Sequence, residues 1–162
     1  MYFEKISLEQ WTKDCLILGM SNEDIIAAYD NIKLPKSSTA SAAGHDFYIP
    51  FEVKVSDEHK TVIPTGIRWV TEEDENNMVL IICPRSGLGT KYGMRLANTI
   101  GIIDADYFQA NNEGHIMAIV NTDFNFTLQP GDRFMQGIIV PFVHCGEKIN
   151  TTRTGGFGST GN

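Results

Sequence analysis

Three cysteines in 162 residues, Cys15, Cys83 and Cys145, are an odd number at wide spacing. Neither a disulfide framework nor a zinc site finds the paired arrangement it needs, and reduced thiols in a cytosolic protein are expected. Basic charge is also scarce: 13 Lys and Arg against 20 Asp and Glu leave a net charge of −7. A binder of genomic nucleic acid presents a basic face, so this balance argues against that class. A small anionic ligand is still compatible, because it needs only a local pocket of Arg and backbone amides. No run of eighteen apolar residues occurs, and "MYFEKISLEQW" has no basic region followed by an apolar stretch. The expectation is a soluble, cytoplasmic protein with no membrane partner. His45, His59, His115 and His144 lack HExxH-like spacing, so none is assigned a catalytic or metal role.

What the chain does have, at 42% hydrophobic content, is enough apolar material for one domain with appendages. Residues 1–30 read as helical, with Ser7/Gln10 and Ser21/Asp24 at capping-box spacing and Gly19 separating two short helices. Ile6, Trp11, Leu16, Ile17, Leu18, Ile25, Ile26 and Tyr29 supply their apolar faces. Over 31–150 the texture changes to short β-rich runs: "HDFYIPFEVKV", "KTVIPTGIRWV", "MVLIICP", "HIMAIVNT" and "DRFMQGIIVPFV". The intervals are too short for crossover helices, so an all-β sandwich, barrel or jelly roll is expected. Residues 151–162, "TTRTGGFGSTGN", form a Gly-rich arm with one large apolar side chain. It reads either as a frayed end or as a lid whose amides wrap a phosphate, whose Arg forks onto it and whose Phe stacks on a base.

Three stretches could carry chemistry. In "CPRSGLGTKYGM", a strand runs into Arg85, the Ser86 hydroxyl and two glycines, a combination that can meet phosphate oxygens. It lacks P-loop spacing. In "NTIGIIDADYF", an Asp beside the apolar run "IGII", expected to be buried, is either a turn-former or a carboxylate held for general-base work. Asp104 and Tyr107 point oppositely unless a turn intervenes. In "LQPGDRFMQGIIVPF", Arg133 and Gln136 interrupt an apolar strand, either to satisfy local structure or to reach a ligand.

In order, "ASAAGHDFYIP", "PRSGLGTKYGM", "GIIDADY", "GDRFMQ" and "RTGGFGSTG" resemble the five motifs of the homotrimeric dUTPases, across roughly residues 31–162. The resemblance implies an all-β, jelly-roll-like (β-clip) subunit, a homotrimer with shared active sites, and hydrolysis of dUTP to dUMP and pyrophosphate. Such a reaction limits uracil in DNA and supplies dUMP for thymidylate synthesis. By the resemblance, Asp104 would activate the water that attacks the α-phosphorus. Tyr107 would lie against the deoxyribose and exclude a 2′-hydroxyl, and Asn98 would bond the uracil edge. Arg85 and Ser86 would hold the phosphates, Gly87 would allow close approach, and Gln136 would contact the phosphate and water region. Arg153, Phe157, Gly158, Ser159 and Thr160 would close over the nucleotide, with Phe157 on the uracil. Mg²⁺ would ride on the substrate phosphates, with Asp46 near it through water; Asp46 reads equally as a strand-start turn residue.

Two departures stand out. "FQANNE" between Tyr107 and Gly114 looks like an insertion of about five residues relative to the family pattern, and Arg153 sits one residue closer to the double glycine than is common. Residues 1–30 lie outside the resemblance; simple packing is expected of them, with a protein partner through 1–30 or 108–113 left open. The rival readings are a zinc-free dCTP deaminase and a nucleotide-sensing interaction protein.

Overall fold

The structure, a computed structural model, describes residues 1–72 and 75–146. In chain order the elements are β1 (Tyr2–Lys5), α1 (Leu8–Ile17), α2 (Asn22–Asn31), β2 (Lys36–Ser37), β3 (Gly44–Tyr48), β4 (Val53–Val55), β5 (Thr61–Pro64) and β6 (Ile67–Val70). They continue with β7 (Met78–Pro84), α3 (Ser86–Tyr92), β8 (Arg95–Leu96), β9 (Gly101–Asp104), a 3₁₀ turn at Tyr107–Gln109, β10 (Met117–Asn121), β11 (Phe126–Leu128) and β12 (Arg133–Pro141). Every pairing is antiparallel: a five-stranded sheet β2-β3-β12-β7-β9, a three-stranded sheet β5-β10-β8, and the pairs β1-β6 and β11-β4. This is the expected jelly-roll-like β architecture.

Two of the long apolar runs are broken by proline. "HDFYIPFEVKV" splits around Pro50 into β3 and β4, and "KTVIPTGIRWV" turns after Pro64 through Gly66, whose φ is +70°. Proline cannot donate to a ladder, so each run serves two sheets instead of one. Alternation then buries one face: Phe47, Ile63, Trp69, Leu80, Val120 and Phe134 are all essentially inaccessible, and a register shift in β12 buries the adjacent Met135 as well.

The N-terminal pair of helices is present, with Ser7 and Ser21 as N-caps and Gly19 at φ +80° between them. Only half of the Ser7 capping box forms. The Ser7 hydroxyl accepts from the Gln10 amide, but the Gln10 side chain turns to Asp14, and the Ser7 amide donates to Glu113. One further feature was not anticipated: Tyr2–Lys5 is a strand on β6. The helices pack, as expected, and do so within the main core, where Trp11, Cys15, Ile25, Ala28 and Ile32 are buried with the sheet residues. Leu16, Ile17, Leu18 and Ile26, expected on apolar faces, are exposed. Burial pushes the Cys15 thiol up to about 12, which keeps it protonated and inert. Among the described residues, no helix is long and apolar enough to cross a membrane.

Candidate active site

The edge-to-centre order of the five-stranded sheet brings three distant motifs together. Gln136 of β12 lies opposite Asp46 of β3 on one side and Cys83 of β7 on the other. β7 then delivers Arg85 and Ser86 at the entrance to α3, whose sharp end is set by Gly93 in the left-handed region at φ +66°. Asp46 is buried, and its carboxylate is held between two guanidiniums: Arg133 Nη1 donates to Oδ2 at 3.1 Å, and Arg85 Nη1 stands 3.4 Å from Oδ1. Removing a charge from water is costly unless it is paired, and the two guanidiniums supply that pairing. The pairing in turn restricts where both guanidiniums can point.

Ser86 and Gly87 are exposed beside this cluster, and their amides open a helix, where no intrahelical acceptor is available. A side chain added at Gly87 would meet nothing within 4 Å, so open space lies over that backbone. At Gly44 the reverse holds: a Cβ would come within 2.7 Å of the Gln136 Oε1, so the glycine makes room for that side chain.

The second group sits on β9 and its flanks. Asp104 ends β9 on the outward face, opposite Val79 of β7, while Ile103 and Ala105 on either side are buried. The expectation of a buried "IGII" run needs correction, because Ile100 and Ile102 are 41% and 53% exposed. With period-two alternation, Ile102 shares the face of Asp104. A turn does intervene before Tyr107: Asp106 caps the 3₁₀ turn, and the Tyr107 ring is buried, with its hydroxyl donating to the His115 carbonyl at 3.2 Å. Asn98 is exposed in the β8–β9 connection. Together with Gly101, Ile103, Leu96, Ile82 and Ala118 it lines a cavity of about 120 Å³ with mostly apolar walls.

Within one chain Asp104 does not meet the Arg85 cluster, although Ile82 of the cavity wall stands beside Cys83 on β7. Val79 and Cys83 are four residues apart on β7, so Asp104 and Gln136 are offset by roughly 13 Å along the sheet, with β7 between their strands. Arg153, Phe157, Gly158, Ser159 and Thr160 lie outside the described residues.

Sequence reasoning left Arg133 undecided and gave no role to Glu113 or His115. Arg133 proves to be a partner of Asp46, and the other two join the N-terminal helices to the segment after Tyr107.

An antiparallel β domain that sets a guanidinium, a hydroxyl and the free amides of a helix start together at one sheet end has the donor set that phosphate oxygens take. A family model described as dUTPase matches residues 30–161. The chain is 36% identical over 146 residues to the deoxyuridine 5′-triphosphate nucleotidohydrolase of Lactococcus lactis, covering 85% of this chain and 95% of that one. The crystal structure of a dUTPase from Streptococcus mutans superposes with a TM-score of 0.68 at 31% identity, over 91% of this chain and all of its own. A dUTPase from phage phi11 of S. aureus, in which a structural Mg(II) ion is coordinated, shares the fold with a TM-score of 0.61 at 18% identity, over 75% of this chain and 92% of its own. The chain belongs to the dUTPase family.

Proposed function

We infer that the protein hydrolyses dUTP to dUMP and pyrophosphate, in sites assembled from more than one copy of the chain. The observation that carries this reading is the separation just described: Asp104 and the cluster around Arg85 and Gln136 stand too far apart along one sheet to act on one phosphorus unless neighbouring subunits bring them face to face. The exposed Ile102 beside Asp104 supports a chain-to-chain contact there, and a homotrimer is the proposed assembly.

In such a site Asp104, exposed and at a strand end, holds and deprotonates the water that attacks the α-phosphorus. Arg85, oriented by Asp46, and the Ser86 hydroxyl take the phosphate oxygens as charge moves onto the departing pyrophosphate. Gln136 reaches the same region from across the sheet, and the open space at Gly87 admits a phosphate against the backbone. The cavity by Asn98 is comparable to those of ~150 Å³ that accept a benzene ring, which suits a pyrimidine. Tyr107 borders the sugar. Arg153, Phe157, Gly158 and Ser159 are proposed to close over the nucleotide, with Phe157 stacked on the base.

Mg²⁺ is the proposed cofactor. Among the described residues no group of three His, Cys, Asp or Glu could hold a metal, and both oxygens of Asp46 already face guanidiniums. These residues fit an ion that arrives on the triphosphate and meets Asp46 only through water. When bound, it would neutralise charge on the transferred group.

Pyrophosphate release from dUTP, UTP, dTTP and dCTP tests the reading. Turnover selective for dUTP is expected; equal turnover of all four, or release of ammonia from dCTP, overturns it.

A further inference from the structure

His115 has no accessible surface, yet every polar group it carries is used. Its amide donates to the Asn112 carbonyl at 3.0 Å, and its carbonyl accepts from the Tyr107 hydroxyl at 3.2 Å. Its Nε2 accepts from the Gly66 amide at 2.9 Å. An amide can donate only to an unprotonated nitrogen, so the ring proton sits on Nδ1, aimed at Asp14 Oδ2, 2.5 Å away. Asp14 belongs to α1, 101 positions earlier in the chain. The Trp11 ring packs against the same imidazole, with centroids 5.9 Å apart.

A second tie runs in parallel. Both oxygens of Glu113 take the N-cap of α1, from the Ser7 amide at 2.8 Å and the Ser7 hydroxyl at 2.6 Å. Glu113 adopts φ +57°, a left-handed conformation that residues with a side chain disfavour, so these bonds hold it in a strained place. The neighbouring Gly114 folds the segment back so closely that a Cβ there would sit 2.7 Å from the Tyr107 carbonyl oxygen. Asn112 completes the wrap by donating to the Tyr107 hydroxyl at 3.0 Å.

We propose that the N-terminal helices are a positioning element for the nucleotide site, in which Asp14 and Glu113 fix the segment 112–115 that holds Tyr107 against the sugar. Glu113 and His115 are then the points at which α1 docks. Through Tyr107, α1 controls how strictly a 2′-hydroxyl is excluded, since a wall rejects an extra oxygen only while it cannot retreat. This proposal rests on the reading of Tyr107 as the sugar-facing residue.

The test is kcat/KM for dUTP and for UTP on the full chain, in the parent and in Asp14→Ala, Asp14→Asn and Glu113→Ala. Asp14→Asn still offers an oxygen to the Nδ1 proton, so its preference for dUTP over UTP stays within about twofold of the parent's; Asp14→Ala and Glu113→Ala each lose roughly tenfold of it, the scale of a sub-ångström misplacement. The ratio is insensitive to the folded fraction, so a merely stabilising contact would leave it unmoved. Glu113→Ala, on a partly exposed segment, keeps the test available should Asp14→Ala fail to fold. A parent without preference for dUTP refutes the role of Tyr107. A selective parent whose folded Ala variants are equally selective refutes the positioning role alone.

Discussion

Arg85 reaches within 3.4 Å of Asp46, a buried carboxylate that also binds Arg133. The acid comes from the second strand of the sheet and the guanidinium from the end of the fourth, so the contact ties the turn proposed to bind phosphate to the strand whose neighbour carries Gln136. Asp46→Ala removes that tie and leaves two cations side by side. The expected result is a rise in KM for dUTP and a fall in kcat/KM of up to about a hundredfold, the usual scale for misplacing a positioned group. Steady-state kinetics on the folded variant check it.

Gly44 and Gln136 make a narrower case. A methyl group at position 44 would stand 2.7 Å from the Gln136 Oε1, the free end of a flexible side chain that can swing aside. Gly44→Ala is therefore expected to cost little stability and to lower kcat by roughly tenfold, because Gln136 is displaced from the phosphate region. Thermal melts set beside kcat separate the two effects.

The docking of α1 should be sensitive to acid. Burial works against ionisation of Asp14, but the hydrogen bonds from His115 and Gln10, with Lys13 nearby, outweigh it and hold the group below its ordinary 3.8. For Glu113 burial again opposes, and the Ser7 bonds, assisted by Arg68 and Lys13, hold it below 4.5. Both folded values are depressed, so their stabilisation is fully present above the ordinary values and is lost as pH falls through the lower ones. Glu113→Gln should lower stability near neutral pH and flatten the loss that the parent shows below about pH 4.5 in denaturant titrations.

Much of the site was legible because its signals are local. Arg85, Ser86 and Gly87 follow a strand directly, and β7, β10 and β12 stand out as short β-rich runs between turn residues. What escaped the sequence depends on pairings between remote positions. β1 is four residues long, too short for a periodicity, and exists because β6 offers it an edge. Asp46 and Arg133 are 87 residues apart, and Asp14 and His115 101 apart, with nothing in either neighbourhood announcing the partner. The exposure of Ile102 was hidden for a related reason: an apolar run does not reveal whether its second face meets a core or another chain.

The central claim is that Asp104 of one subunit serves the phosphate group gripped by Arg85 of another. Asp104→Asn and Arg85→Ala are each expected to lose at least about a hundredfold in dUTP turnover, the lower bound for removing a general base. The direct measurement is pyrophosphate release from dUTP after the two inactive variants are co-assembled from unfolded chains. Mixed assemblies contain sites that draw the intact Asp104 and the intact Arg85 from different chains, so activity should return well above that of either variant alone. A mixture of assembled heterotrimers as inactive as its components would contradict the account.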